Sequence, residues 1–139
     1  MSNVRSVDHI GVAVGDLEAA IRTYRALGLE GGEIEELPDQ GLRLAFFKVG
    51  ESRVELLAST DPASAIGRFL ASRGEGIHHL ALRVPDAAAA LARAVDAGLR
   101  AIDQRPRAGA GGARVAFLHP KGLHGVLVEF VERAEGEGH

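Results

Sequence analysis

Val7-Asp8-His9-Ile10-Gly11-Val12-Ala13-Val14-Gly15-Asp16 decides the fold, because a shift of 70 residues lays it on Ile77-His78-His79-Leu80-Ala81-Leu82-Arg83-Val84-Pro85-Asp86. In that register His9 falls on His79, Val14 on Val84 and Asp16 on Asp86, and the match runs on to Gly28 on Gly98 and Leu29 on Leu99. A 139-residue chain with a period near 70 is two copies of one module.

Working outward, each copy opens with an aliphatic, β-branched run that reads as a strand, Val7–Val14 and Ile77–Val84. A helix follows each, with Asp16 or Asp86 at the N-cap and Gly28 or Gly98 just past the end. Leu17, Ala20, Ile21, Tyr24 and Leu27 carry the apolar face of the first helix; Ala87–Ala97 is alanine-rich and anchored by Leu91 and Val95. Three further strands are expected in each copy: Gly31–Glu36, Leu42–Val49 and Arg53–Ala58, then Arg100–Gln104, Arg114–His119 and Gly125–Val131. Gly50-Glu51-Ser52 and the longer Pro120–His124 read as hairpin turns. Between the copies, Asp61 is the expected N-cap of a helix with Pro62 at its first position and Gly74 at its stop. Residues 132–139 read as a fraying tail. The fold class is therefore α+β, a single domain of two tandem βαβββ modules, about 5–60 and 75–132, joined by a helical linker.

Composition narrows the chemistry. An apolar fraction of 46% and a charged fraction of 25% are those of a globular chain. A net charge of −3 argues against a nucleic-acid or anionic-membrane surface. The absence of cysteine excludes disulfides, zinc ribbons, thiol nucleophiles and iron–sulfur clusters. No run approaches the roughly 20 apolar residues that span a bilayer, and the start lacks a signal-peptide apolar region, so a cytoplasmic protein without membrane or nucleic-acid partners is expected.

Four polar residues interrupt otherwise apolar strands. Glu55 sits within Val54-Glu55-Leu56-Leu57, and Glu129 within Val126-Leu127-Val128-Glu129-Phe130-Val131, each in the last strand of its copy. A lone carboxylate buried there costs several kcal/mol unless paired or metal-bound. By strand alternation His9 shares a face with the small Gly11 and Ala13, and His79 with Ala81. The opposite face carries Ile10, Val12 and Val14, then Leu80, Leu82 and Val84, and is expected to pack on the helices. Each residue alone reads more readily as a hydrogen-bonded core histidine, or as an edge or salt-bridged strand glutamate, than as a ligand. Their repeat-equivalent placement favours convergence on one divalent ion, such as cobalt, zinc, manganese or nickel, with open coordination positions left for substrate or water. His78 points to the other face and reads as structural. His119, His124 and Lys121 sit in turns, either solvated or touching substrate. Ala108–Gly112, near Arg105, Arg107 and Arg114, fails the dinucleotide fingerprint because no helix opens after it, and reads as a loop.

These features resemble the vicinal oxygen chelate superfamily, and within it the methylmalonyl-CoA epimerase family. The segments that carry the resemblance, besides the first strand, are Pro38-Asp39-Gln40-Gly41, Val54–Leu57, Gly74-Glu75-Gly76-Ile77-His78-His79-Leu80-Ala81, and Phe117-Leu118-His119-Pro120-Lys121 followed by Gly125–Glu129. The resemblance implies mixed sheets curving round a metal held by His9, Glu55, His79 and Glu129. It implies epimerisation of an acyl-CoA substrate through an enolate, with Gln40 and Lys121 as substrate contacts, and a homodimer. One departure matters. Some members carry a glutamate, proposed as a base, where this chain has Leu44, and a glutamine where it has Glu55. The expectation here is that Glu55 and Glu129 are the opposed bases. Lactoylglutathione lyase shares the ligand set but not the other segments. An extradiol dioxygenase would leave Glu55 unexplained. A metal-free drug-binding protein of the same fold would not need the four ligands.

Overall fold

Each repeat opens with the strand and capped helix that its spacing predicts, in a computed structural model that describes residues 3–134. In chain order the elements are β1 (Ser6–Ala13), α1 (Leu17–Ala26), β2 (Glu30–Leu37), β3 (Leu42–Val49), β4 (Ser52–Ser59), α2 (Ala65–Arg73), β5 (Gly76–Arg83), α3 (Ala87–Asp96), β6 (Arg107–Ala108), β7 (Arg114–Leu118) and β8 (Val128–Glu132). Asp16 accepts the Ala19 amide at 3.0 Å and Asp86 that of Ala89 at 3.1 Å, which satisfies donors the first helical turn leaves open. Gly28 and Gly98 follow the two helices with φ of +100° and +95°, the left-handed backbone that stops a helix at little cost only in glycine.

The described chain divides into two compact units: residues 9–78, and residues 79–134 together with residues 3–8. In the first the strands lie in the order β2-β3-β4-β1, with β1 parallel to β4 and the others antiparallel. In the second the order is β5-β8-β7-β6, again with one parallel pair, β5 and β8. Such parallel neighbours need a long crossover, and α1 and α3 supply it. One face of each sheet packs on its helix. Val14, Leu17, Ile21, Phe47 and Leu56 make the first core; Val84, Leu91, Leu118 and Phe130 help make the second. Among the described residues no helix is long and apolar enough to cross a membrane.

Several sequence expectations need correction. Arg100–Gln104 forms no strand; only Ala101 bridges, to Leu118, and the short β6 pairs with β7 further on. The Asp103 carboxylate takes the Phe117 amide at 2.8 Å where a ladder carbonyl would sit, and Pro106 has no amide to offer. The last strand starts at Val128 rather than Gly125, because His124 and Gly125 have φ of +58° and +91°, which breaks the extended chain. The linker helix is capped by Ser64, whose hydroxyl accepts the Gly67 amide at 3.0 Å, and not by Asp61. Asp61 instead closes the preceding turn through the Ala63 amide at 2.9 Å, which leaves Pro62 outside the helix. Ile10, placed by alternation on the helix-facing side, is exposed. Of the expected tail, Glu132 ends β8 and accepts the Ala87 amide at 2.8 Å, and Arg133 is held inside; residues 135–139 lie outside the described residues.

The second unit contains a fully buried carboxylate. Asp8 is 0% exposed and accepts from two arginines. Arg83 donates from Nε and Nη2 to Oδ1 at 2.9 and 2.7 Å; Arg133 donates from Nε to Oδ1 and from Nη2 to Oδ2, both at 2.8 Å. The three residues come from the start of β1, the end of β5 and the residue after β8, so the cluster fastens three distant stretches of chain. Charge-assisted hydrogen bonds of this kind are the strong ones, and removing one partner leaves buried charge uncompensated. The exposed Arg43–Glu18 pair, at 2.7 Å, is the contrast: its hydrogen bond holds the Glu18 carboxyl below the usual range, yet solvent screens it. Asp8→Ala should therefore lower the unfolding free energy in urea by about 3–5 kcal/mol, whereas Arg43→Ala should leave it nearly unchanged. Equal losses in the two variants would refute the assignment.

Candidate active site

Strand register places the polar residues. In the first unit β1 and β4 run side by side with Gly11 opposite Glu55, and β3 sets Phe46 opposite the same glutamate. In the second unit β5 sets Ala81 opposite Glu129, and β7 sets Phe117 opposite it. The two arrangements match residue for residue. A glycine or alanine beside the glutamate leaves its carboxylate room, and the histidine two positions earlier on the same strand shares that face. His9 Nε2 lies 3.5 Å from Glu55 Oε1, and His79 Nε2 lies 3.3 Å from Glu129 Oε1. All four residues are buried, at 4–7% exposure.

The donor set fits a divalent ion. Burying an imidazole beside a carboxylate in an apolar strand twice over is costly unless something shares the charge. The distances of 3.3 and 3.5 Å exceed those of a strong charge-assisted hydrogen bond. They would suit two ligands that share one ion rather than bond each other directly. Imidazole nitrogen with carboxylate oxygen is a donor set for zinc, cobalt, nickel or manganese.

Around each pair lies an aromatic and a cation. The His9 and Phe46 rings meet edge-on, with centroids 6.3 Å apart and planes at 83°. The Arg53 guanidinium lies over Phe46 at 5.2 Å from its centroid. His79 and Phe117 meet in the same way at 5.8 Å and 77°, and Arg107 lies over Phe117 at 5.3 Å. The sequence reading did not single out Phe46 or Phe117. Their placement opposite the two glutamates was the available signal, and it becomes visible only once the strands are paired.

The expected substrate contacts, Gln40 and Lys121, lie at the surface. Gln40 is exposed at the end of a 3-10 turn, Pro38–Gln40, just before β3. Lys121 is exposed in the turn Pro120–Gly122, its amide donating to His119 Nδ1 at 3.0 Å. His78 packs edge-on against Phe69, centroids 4.9 Å apart, as a structural residue would. His124 is exposed. The glycine-rich segment forms a 3-10 turn, Ala110–Gly112, that leads directly into β7. Leu44 is buried at 1% exposure and pairs with Leu57 across β3 and β4.

Comparison with known proteins gives consistent relatives. Residues 8–117 match the family model described as the glyoxalase/bleomycin resistance protein/dioxygenase superfamily. The ethylmalonyl-CoA/methylmalonyl-CoA epimerase of Cereibacter sphaeroides is 40% identical over 126 residues, covering 88% of this chain and 94% of that one. A variant of Streptomyces coelicolor methylmalonyl-CoA epimerase, solved in complex with 2-nitronate-propionyl-CoA, superposes with a TM-score of 0.90 at 41% identity, covering 94% of this chain and 99% of that one. A methylmalonyl-CoA epimerase solved in complex with methylmalonyl-CoA and an ammonium ion also gives a TM-score of 0.90, at 40% identity, covering 98% and 99%.

The histidine–glutamate pairs lead to a direct test. Protein stripped with chelator should gain thermal stability when cobalt is added, by about 2.7 kcal/mol at a hundredfold excess over the dissociation constant. His9→Ala and His79→Ala should each reduce that gain, and a melting temperature indifferent to cobalt in the wild type would refute metal binding.

Proposed function

Because the chain belongs to the glyoxalase/bleomycin resistance protein/dioxygenase superfamily and, within it, to the methylmalonyl-CoA epimerases, we propose that its two histidine–glutamate pairs work as one catalytic centre. The activity is interconversion of (R)- and (S)-methylmalonyl-CoA by removal and return of the α-proton. The observation that carries the assignment of residues is the matching register: Glu55 opposite Gly11 and Phe46, and Glu129 opposite Ala81 and Phe117.

In this reading His9, Glu55, His79 and Glu129 hold a divalent ion. Once bound, the ion supplies Lewis-acid stabilisation for the negative charge that develops on the thioester oxygen. The protein's own groups move the protons. Glu129, ionised, takes the α-proton on one face of the substrate; Glu55, protonated, returns a proton to the other face. The proton taken stays on the carboxyl of Glu129 while Glu55 ends ionised. Each turnover therefore leaves the pair in the state that the reverse reaction needs. Both carboxylates would have a double task, holding the ion beside the histidine that lies within 3.3–3.5 Å of Oε1 and exchanging the substrate proton. Burial of all four side chains keeps bulk water from reprotonating the enolate at random. Gln40 and Lys121 are assigned to the substrate, Lys121 through its charge toward the anionic coenzyme A, and the working assembly is assigned as a homodimer in the cytoplasm.

Incubating one epimer of methylmalonyl-CoA with the cobalt-loaded protein in deuterated water should give deuterium at the α-carbon together with inversion, above the slow exchange of a no-enzyme control. Ethylmalonyl-CoA belongs in a parallel arm, since a relative is described as acting on both substrates. Glu129→Gln and Glu55→Gln should each lower kcat by about 10²–10⁴-fold with metal still bound. Full activity in metal-loaded Glu55→Gln would overturn the two-base assignment and leave Glu129 as the one assigned base. No exchange above control, with metal bound, would remove the substrate and redirect the test to the glutathione hemithioacetal.

A further inference from the structure

We propose that Phe46 and Phe117 are positioning residues for this centre, each ring holding the neighbouring imidazole in the orientation that directs Nε2 at the ion. The proposal rests on the reading of His9 and His79 as metal ligands.

Three observations support it. First, neither ring is needed where it stands for the helix-facing core. On β3 it is the neighbouring Phe47 that is 0% exposed, packs in the core with Leu17 and Ile21, and stacks on Tyr24 at 6.1 Å. On β7 it is Ala116 and Leu118, flanking Phe117, that pack with α3. By strand alternation Phe46 and Phe117 therefore stand on the opposite face, with the histidines and glutamates.

Second, the contact is the same in both units: edge-on, 6.3 Å and 83° in one, 5.8 Å and 77° in the other. An imidazole turns broadly about its last side-chain bond, so a flat ring packed at right angles restricts that rotation. Each phenylalanine also stands directly opposite its glutamate, so one ring bounds both members of a pair.

Third, each ring is itself held by a guanidinium, and the two units do this with different residues. Arg53 reaches Phe46 from β4, two residues before Glu55; the residue two before Glu129 is Leu127. Arg107 reaches Phe117 from β6 instead, and is steadied by Asp103 at 3.0 Å. The cation is thus not simply inherited from the repeat. Two separate solutions to fastening the same ring indicate that its orientation matters.

The test uses Phe46→Leu and Phe117→Leu, with Phe46→Tyr and Phe117→Tyr as the ring-retaining counterparts. Three quantities are read for each: cobalt affinity of the chelator-stripped protein by calorimetry, the metal-free melting temperature, and kcat against KM. Groups that orient metal ligands from behind typically change metal affinity by about 10–100-fold. The leucine variants should lose cobalt affinity in that range and lose kcat at unchanged KM, while the tyrosine variants return both to the wild-type value. Wild-type cobalt affinity in the leucine variants overturns the proposal. So does a loss of affinity that follows the metal-free melting temperature across all four variants, or tyrosine variants as weak as leucine ones, because packing alone then accounts for the rings. If a leucine variant does not fold, Phe46→Met and Phe117→Met fill the same volume without a flat ring and are read by the same criteria. A wild-type protein that takes up no cobalt fails the metal reading itself, an outcome separate from equal affinities in wild type and variants.

Discussion

A carboxylate with no access to water has to be answered by cations, and Asp8 is answered by two. The cluster that results fastens β1, the end of β5 and the residue after β8, and it belongs to the unit that begins again at residue 79. The next residue, His9, begins the other unit. The chain passes from one unit to the other at Asp8–His9 and at His78–His79, so each proposed histidine ligand is the first residue after a crossing.

Strand pairing does the remaining placement. Parallel β1 and β4, and parallel β5 and β8, bring a first-strand histidine and a last-strand glutamate onto one face, with Gly11 or Ala81 leaving the space between strands that a carboxylate needs. The crossover helices that parallel pairing demands cover the other face with Leu17, Ile21, Leu91 and Ala94. The same topology thus gives each unit a dry core on one side and a buried polar pair on the other. Epimerisation asks for two proton-transfer groups on opposite faces of a planar intermediate, and the proposed mechanism draws them from the equivalent glutamates of the duplicated module.

Three departures from the sequence expectations fall where a side chain replaces a backbone hydrogen bond or a backbone angle breaks the ladder. Asp103 takes the Phe117 amide, so Arg100–Gln104 never joins the sheet as a strand. Ser64, not Asp61, caps α2, because Asp61 already closes a turn of its own. The positive φ of His124 and Gly125 delays β8 to Val128. Composition and periodicity carry no mark of such competitions, which are decided among donors and acceptors a few residues or a strand apart.

The 70-residue repeat, the two capped helices and the four polar residues out of place in apolar strands were legible in the sequence, because each rests on local spacing: alternation along a strand, caps at helix ends, glycine past the helix. His9, Glu55, His79 and Glu129 stood out for the same reason, as polar side chains where the pattern calls for aliphatics. The Asp8–Arg83–Arg133 cluster and the Phe46 and Phe117 rings did not. An aspartate before a histidine, an arginine at a strand end and a phenylalanine in a strand are ordinary in any sequence. Only tertiary structure decides which arginine answers which aspartate and which ring meets which imidazole, because those partners are as far apart as residues 8 and 133 and meet through strand register rather than through spacing.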